Sequence, residues 1–285
     1  MTKVSNKVVH DSLNGSAHFY TRDGKPRHDA TLRHARKEKL FPSVTSVLKL
    51  SPKPMLEAYI VAQAIKASLR LKKQKGEDDD AFIKRVMAES KREASEAAEA
   101  GTLLHNMIEH RLKTGLWPTE ERYERFAAWT TPYEEWIQSN IIEVVMSEAI
   151  LVDRELGLAG TVDIVAKTRE WGFAILDMKN QPLTSKPART YPEHIAQLAA
   201  YDSMLPEPAD TLVSVILNRE DPTPPYVHVW DNSERPGAYR LVNICHELWC
   251  HNRNYYPGEL HEERPETDGV THTGSENEES TQGEE

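Results

Sequence analysis

The feature that most constrains this chain is a change of hydrophobic period near residue 141. Before it, apolar residues recur at spacings of three and four. After it they come as β-branched runs, IIEVVMSEAILVD (141–153), LAGTVDIVAK (158–167) and WGFAILDMK (171–179), separated by short turns. Three such runs in succession predict an antiparallel three-strand meander. A helix is expected at about 191–204, strands at about 211–218 and 225–231, and a closing helix at about 236–254. Upstream, the sequence predicts a turn at Thr21–Pro26, a helix capped near Ser43, a break at Ser51–Pro54, and helices over about 54–71 and 80–113, the second ending on Gly115. A further helix at about 119–140 carries Tyr123, Phe126, Trp129, Tyr133 and Trp136 as a core stripe. The expected class is α/β (α+β), a mixed sheet flanked by helices and preceded by a helical N-terminal region.

Charge is what does not belong in the meander. Asp and Glu are depleted in strands, and a carboxylate facing a core is costly unless it is paired or binds a metal. Glu148 lies in the first run, Asp163 in the second, and Asp177 closes the third with Lys179 two residues on. Strand side chains alternate, so Phe173, Ile175, Asp177 and Lys179 share one face and Met178 points to the other. In adjacent strands Asp163 can lie beside Asp177, which brings two carboxylates and an ammonium to one end of the sheet. Hard oxygen ligands of this kind suit Mg²⁺ or Mn²⁺, and Lys179 beside them can hold or help deprotonate the attacking water, the minimum apparatus for phosphodiester hydrolysis. A bare Asp-x-Lys has a plainer alternative, a salt bridge between Lys179 and either Asp.

The formal charge of −10 is unevenly spread. Residues 259–285 hold ten acids against Arg264 alone, which leaves the rest of the chain near neutral, with a basic excess in residues 1–100 and an acidic one in 101–258. The domain reading is a basic arm (1–40), a catalytic body (41–257, helical to 140 and sheet-based from 141) and an acidic disordered tail (258–285). No run of about 20 apolar residues is present, and the first residues lack the apolar stretch of a secretory leader, so a cytoplasmic protein without a membrane partner is expected. With 2 cysteines a disulfide scaffold is excluded. Cys245, His246, Cys250 and His251 crowd one helix, whose neighbouring side chains diverge too far to enclose a zinc ion.

These motifs together resemble the PD-(D/E)XK nuclease superfamily, in particular its RecB-like and phage exonuclease branch, which includes the mitochondrial genome maintenance exonucleases. GTLLHNMIEH resembles the upstream helix motif, GLAGTVDIV the Gly-x-x-Asp strand, AILDMKN the (D/E)-x-K strand, and HIAQLAAYDSM the Gln-x-x-x-Tyr helix; FPSVTSVLKLSPKPMLEAY resembles the segment that opens the phage and mitochondrial members. The resemblance implies a restriction-endonuclease-like core with His105, Asp163, Asp177 and the main-chain carbonyl of Met178 as metal ligands. It further implies Lys179, Asp177 and Asp163 as catalytic residues, with Glu148 as an additional carboxylate, and Gln197 and Tyr201 beside the nucleic-acid backbone. Glu109, four residues from His105, is expected to orient another side chain. Four cysteines, needed by the cluster-bearing relatives, are absent.

Lys186 and Arg189 follow the third strand and are the first candidates for phosphate contacts, with the basic first 40 residues and Lys72, Lys73 and Lys75 second. The expected function is a Mg²⁺- or Mn²⁺-dependent DNA exonuclease of little sequence specificity, acting in recombination, repair or phage replication and, as the resemblance implies, leaving 5′-phosphates, with a single-strand annealing protein as a compatible partner. The alternative is a non-catalytic DNA-binding or recombination scaffold on the same fold.

Overall fold

The structure, a computed structural model, describes residues 8–11, 18–183 and 188–261. Its elements run β1 (Val8–Asp11), β2 (Phe19–Tyr20), β3 (Pro26–Arg27), α1 (Leu32–Glu38), β4 (Phe41–Pro42), α2 (Val44–Leu48), α3 (Pro54–Arg70) and α4 (Asp79–Thr114). A 3₁₀ segment (Glu121–Trp129) leads into α5 (Thr130–Asn140), then β5 (Ile141–Asp153), β6 (Leu158–Thr168), β7 (Phe173–Gln181), α6 (Pro192–Met204), β8 (Thr211–Asn218), β9 (Tyr226–Val229) and α7 (Arg235–Arg253). The change of period thus falls where α5 passes directly into β5.

Strands β5, β6 and β7 form the expected antiparallel meander. Helix α6 then carries the chain over the sheet so that β8 pairs parallel to β7, and β9 returns antiparallel to β8. This mixed sheet of five strands is extended by β1 on the free edge of β5, giving the order β1-β5-β6-β7-β8-β9. One face is covered by α2, α6 and α7 through Val44, Val47, Leu198, Tyr201, Val242 and Trp249. The other is covered by the C-terminal half of α4 and by the 3₁₀ segment and α5, through Leu104, Met107, Ile108, Phe126, Tyr133 and Trp136. The alternation along β7 follows the sequence pattern, with Phe173 and Ile175 against the first helical layer and Ala174, Leu176 and Met178 against the second.

Several boundaries differ from the sequence reading. The helix expected at about 119–140 is a 3₁₀ segment followed by α5, because Pro132 needs a first-turn position, where its missing N–H costs nothing. The aromatic stripe survives the break: Tyr123, Phe126, Tyr133 and Trp136 are buried, and Trp129 donates its indole N–H to the Asn218 carbonyl at 2.7 Å. Residues 1–40 are not a separate basic arm over their described part. Val8–Asp11 adds a strand to the main sheet, and Phe19, Tyr20 and Leu40 sink into the body, where the Tyr20 hydroxyl lies 3.0 Å from Thr161 Oγ1. Glu259–His261, assigned from sequence to the tail, form a 3₁₀ turn on the β5–β6 connection, with the N–H groups of Glu259 and Leu260 bonded to the carbonyls of Arg154 and Glu155. The remainder of the acidic tail lies outside the described residues.

Gly160, three residues before Asp163, is required by packing. A Cβ there would stand 2.8 Å from Tyr201 Cε1 and 3.3 Å from Val44 Cγ2, both on buried residues. Gly160→Ala therefore forces the Tyr201 ring or helix α2 to move. The expected cost is about 1–3 kcal/mol, typical of overpacking, seen as a lower urea midpoint at unchanged slope.

Candidate metal centre

Three of the predicted residues converge where the sheet opens. His105 Nε2 lies 2.6 Å from Glu148 Oε1 and 4.0 Å from Asp163 Oδ1, and one ligand atom from each residue falls within 4.8 Å of the other two. Each arrives by a different local device.

His105 is delivered by α4. One turn earlier, Gly101 lets the helix close on β7: its carbonyl accepts a hydrogen bond from Asn180 Nδ2 at 3.1 Å, and a Cβ at 101 would stand 3.0 Å from that same nitrogen. Glu109 accepts from Lys113 at 2.8 Å on the helix surface and adds only a weaker charge near His105.

Glu148 is delivered by strain. Its φ is 52°, the left-handed region, inside a strand where the ladder is regular on both sides, Ser147 opposite Ile164 and Ala149 opposite Val162. For a residue with a Cβ this conformation costs about 1–2 kcal/mol, and it re-aims a carboxylate only 7% exposed onto His105. Two register shifts earlier in β5, between Ile141 and Glu143 and between Val144 and Met146, add twist to the same strand.

Asp163 is delivered by the end of a ladder. The β6–β7 pairing stops at Ile164–Leu176, and two residues further along β7 the N–H of Met178 is taken by Asp163 Oδ2 at 2.7 Å. The N–H and C=O of a strand residue point to the same edge, so the Met178 carbonyl faces this gap as well.

Asp177 and Lys179 stand beside the group and are engaged with each other. Lys179 Nζ donates to Asp177 Oδ1 at 2.7 Å and to Gln197 Oε1 at 3.2 Å, and Gln197 Nε2 donates to the Tyr201 hydroxyl at 3.3 Å. Lys179 Nζ is also 2.6 Å from Asp177 Oδ2, so both oxygens of this buried carboxylate face the ammonium. Asp177 thus lies outside the group of three, in which an imidazole and two largely buried carboxylates fit a hard divalent cation. His105, Glu148 and Asp163 would hold it once the short His105–Glu148 hydrogen bond opens to ligand spacing.

The electrostatics agree. Burial pushes His105 down, but the charge of Asp163 and the hydrogen bond and charge of Glu148 outweigh it and bring the imidazole to about 9. Burial raises Asp163, reinforced by Glu148 and opposed by His105; burial likewise raises Asp177 against the pull of Lys179. Burial would lower Lys179, yet Asp177 and Asp163 hold it above its ordinary value. Lys179 is therefore an ammonium that orients and neutralises rather than a proton acceptor, which narrows the role expected from sequence.

Tyr201 and Gln197 form a chain behind Lys179. The Tyr201 ring is 2% exposed, its phenol pushed well above the ordinary range by burial, so it supports Gln197, and Gln197 in turn holds Lys179. Arg189 is exposed, its backbone fastened by both ends of the Gln181 amide, and Lys186 lies outside the described residues. The sequence reading missed His194. Burial, then the Lys179 charge, lowers it to about 4, so it is a neutral ring beside the Asp177–Lys179 pair; its spacing of three from Gln197 on α6 was the available signal. Cys245 and Cys250 are buried thiols, and His246 contacts Cys250 along α7 at 3.7 Å. Among the described residues, His105, Glu148 and Asp163 form the only group with metal-ligand spacing.

No protein-family model matches the chain, and the search of curated proteins finds no match. Among the described residues no helix is long and apolar enough to cross a membrane.

In the fold His105 keeps its proton to about pH 9, against 6.5 for the free side chain, so its protonated form favours the folded state. That contribution is complete below about pH 6.5 and is lost as pH rises through about 9. In EDTA, the melting-temperature advantage of the wild type over His105→Gln is expected to be largest near pH 6 and to shrink across this window. Because a cation must displace that proton, Mn²⁺ affinity measured by calorimetry should rise from pH 7 to 9.

Proposed function

We propose that this protein is a divalent-cation-dependent deoxyribonuclease with a restriction-endonuclease-like core, of the kind its motifs resemble, and that it acts as an exonuclease of little sequence specificity in DNA recombination, repair or phage replication. The observation that carries this reading is the meeting of His105, Glu148 and Asp163 with the Asp177–Lys179 pair at one opening of the sheet. A cation bound there, Mg²⁺ or Mn²⁺, supplies Lewis-acid polarisation of the phosphodiester.

The residues of the chain do the rest. Lys179, 25% exposed and held by Asp177 and Gln197, presents its ammonium to a phosphate oxygen or to the attacking water. The neutral ring of His194 adds no charge against that ammonium. Asp163, tied to the Met178 N–H, keeps β6 and β7 at the separation the site needs. Arg189, exposed and fastened through its backbone to Gln181 at the end of β7, offers a phosphate contact that reads no base. A single-strand annealing protein is a compatible partner, and buried thiols suit a reducing cytoplasm.

Lys179→Ala and Asp177→Asn are expected to slow release of nucleotides from end-labelled DNA in Mg²⁺ or Mn²⁺ by at least about a hundredfold, with circular dichroism and DNA affinity in EDTA near wild type. Wild-type turnover in either variant removes the assignment, and a wild-type protein that binds DNA without cleaving it in either metal favours the non-catalytic scaffold. A digest of linearised plasmid should show progressive loss; discrete reproducible bands would contradict the lack of sequence specificity.

A further inference from the structure

Helices α6 and α7 leave a cleft of about 220 Å³ between their N-terminal ends, walled by Tyr191, Leu241 and Trp230, the residue that follows β9. The indole N–H of Trp230 is taken by Ser214 Oγ at 3.0 Å, so what Trp230 offers the cleft is its apolar ring. The volume falls short of the roughly 300 Å³ at which drug-sized pockets begin, and suits a single planar ring system. Gly237, in the first turn of α7, lines the same cleft. Its backbone is not left-handed, and a Cβ there would meet nothing within 4 Å. Neither conformation nor packing among the described residues therefore requires a glycine at a helical position that alanine serves better. Its effect is to keep the cleft open.

The cleft adjoins the candidate centre. The Tyr191 ring meets His194 edge to face at 5.3 Å, and His194 in turn feels the charges of Lys179 and Asp177. Arg189 is exposed two residues before Tyr191. The polar groups of the lining are the Thr190 hydroxyl and the Glu234 carboxylate. A carboxylate repels phosphate but accepts from the amino group of a base, which leaves phosphate to Lys179 and Arg189 and the ring to the cleft. We propose that this cleft receives one nucleobase of the DNA strand whose phosphate lies at Lys179, stacked against Tyr191 and Trp230. The inference rests on the nuclease reading and adds to it a contact that needs a base yet tolerates any of the four, since each has a π-face.

Oligonucleotides with one abasic residue, moved position by position from the labelled end, test it. In Mg²⁺ the wild type should show KM raised about tenfold at one position with kcat within about twofold, the loss of one stacked base. Gly237→Leu, whose side chain grows into open space, should raise KM for intact DNA by about the same factor, erase the abasic penalty and melt no lower than the wild type. Tyr191→Ala should act in the same direction, and it decides the matter if Gly237→Leu melts lower. A wild type indifferent to the abasic residue at every position, or variants that keep the wild-type penalty, would overturn the proposal. Fluorescence anisotropy of the same strands in EDTA separates it from the nuclease reading. A penalty in binding that Gly237→Leu removes, in a protein that cleaves nothing, keeps the cleft and ends the nuclease; normal cleavage without any penalty does the reverse, and a protein that binds none of the strands ends both.

Discussion

The side chain of Asp163 stands where a backbone ladder would otherwise continue. By accepting the Met178 N–H it satisfies a donor that the parting of β6 and β7 would leave buried and orphaned, and so it makes the opening tolerable. Everything else at the centre is arranged around that opening. The helix that brings His105 comes from one layer and the helix that brings Gln197 from the other. They can meet only where the sheet between them gives way. Two small residues set the approach on either side, Gly101 under α4 and Gly160 under the Tyr201 ring.

The cluster is costly as a piece of folding. Glu148 and Asp177 are buried and Asp163 is partly so, with His105 and Lys179 as the opposing cations beside them among the described residues, so carboxylates are in excess. Glu148 adds backbone strain to this. Desolvated like charges are normally neutralised by a proton, and the centre does so in part through the raised imidazole of His105. A divalent cation would neutralise it better, and strain at the one residue that closes on His105 is the kind of cost that persists at functional sites. The supports around Lys179 point the same way. Asp177, Gln197 and Tyr201 form a hydrogen-bonded chain that ends in a buried ring, and it fixes an ammonium that would otherwise have four rotatable bonds of freedom.

Local chemistry in the sequence was enough for most elements. The Asp78 cap and Gly115 C-cap bracket α4, the Pro192 start opens α6, and the alternation of Phe173 to Lys179 assigns each residue of β7 to a face. Where the reading slipped, the deciding contacts were distant in the chain. The first 40 residues look like a polar arm because their basic side chains are numerous, yet Tyr20, with Phe41 just beyond them, packs on β5 and β6 more than a hundred residues away, and Leu40 is buried in the main core. Residues 258–261 look like tail because the signal for holding them, the carbonyls of Arg154 and Glu155, lies in a turn with no compositional mark.

By itself the sequence determined that carboxylates and a lysine lie on strands, and that a histidine and a glutamine–tyrosine pair lie on helices, because side-chain period and capping are properties of neighbouring residues. Which of those groups touch was decided only by the tertiary structure. The left-handed turn at Glu148, the Asp163–Met178 bond and the closure of His105 on Glu148 depend on how two strands part and how one helix is docked, and such distances between remote segments follow from packing, on which local spacing carries no information.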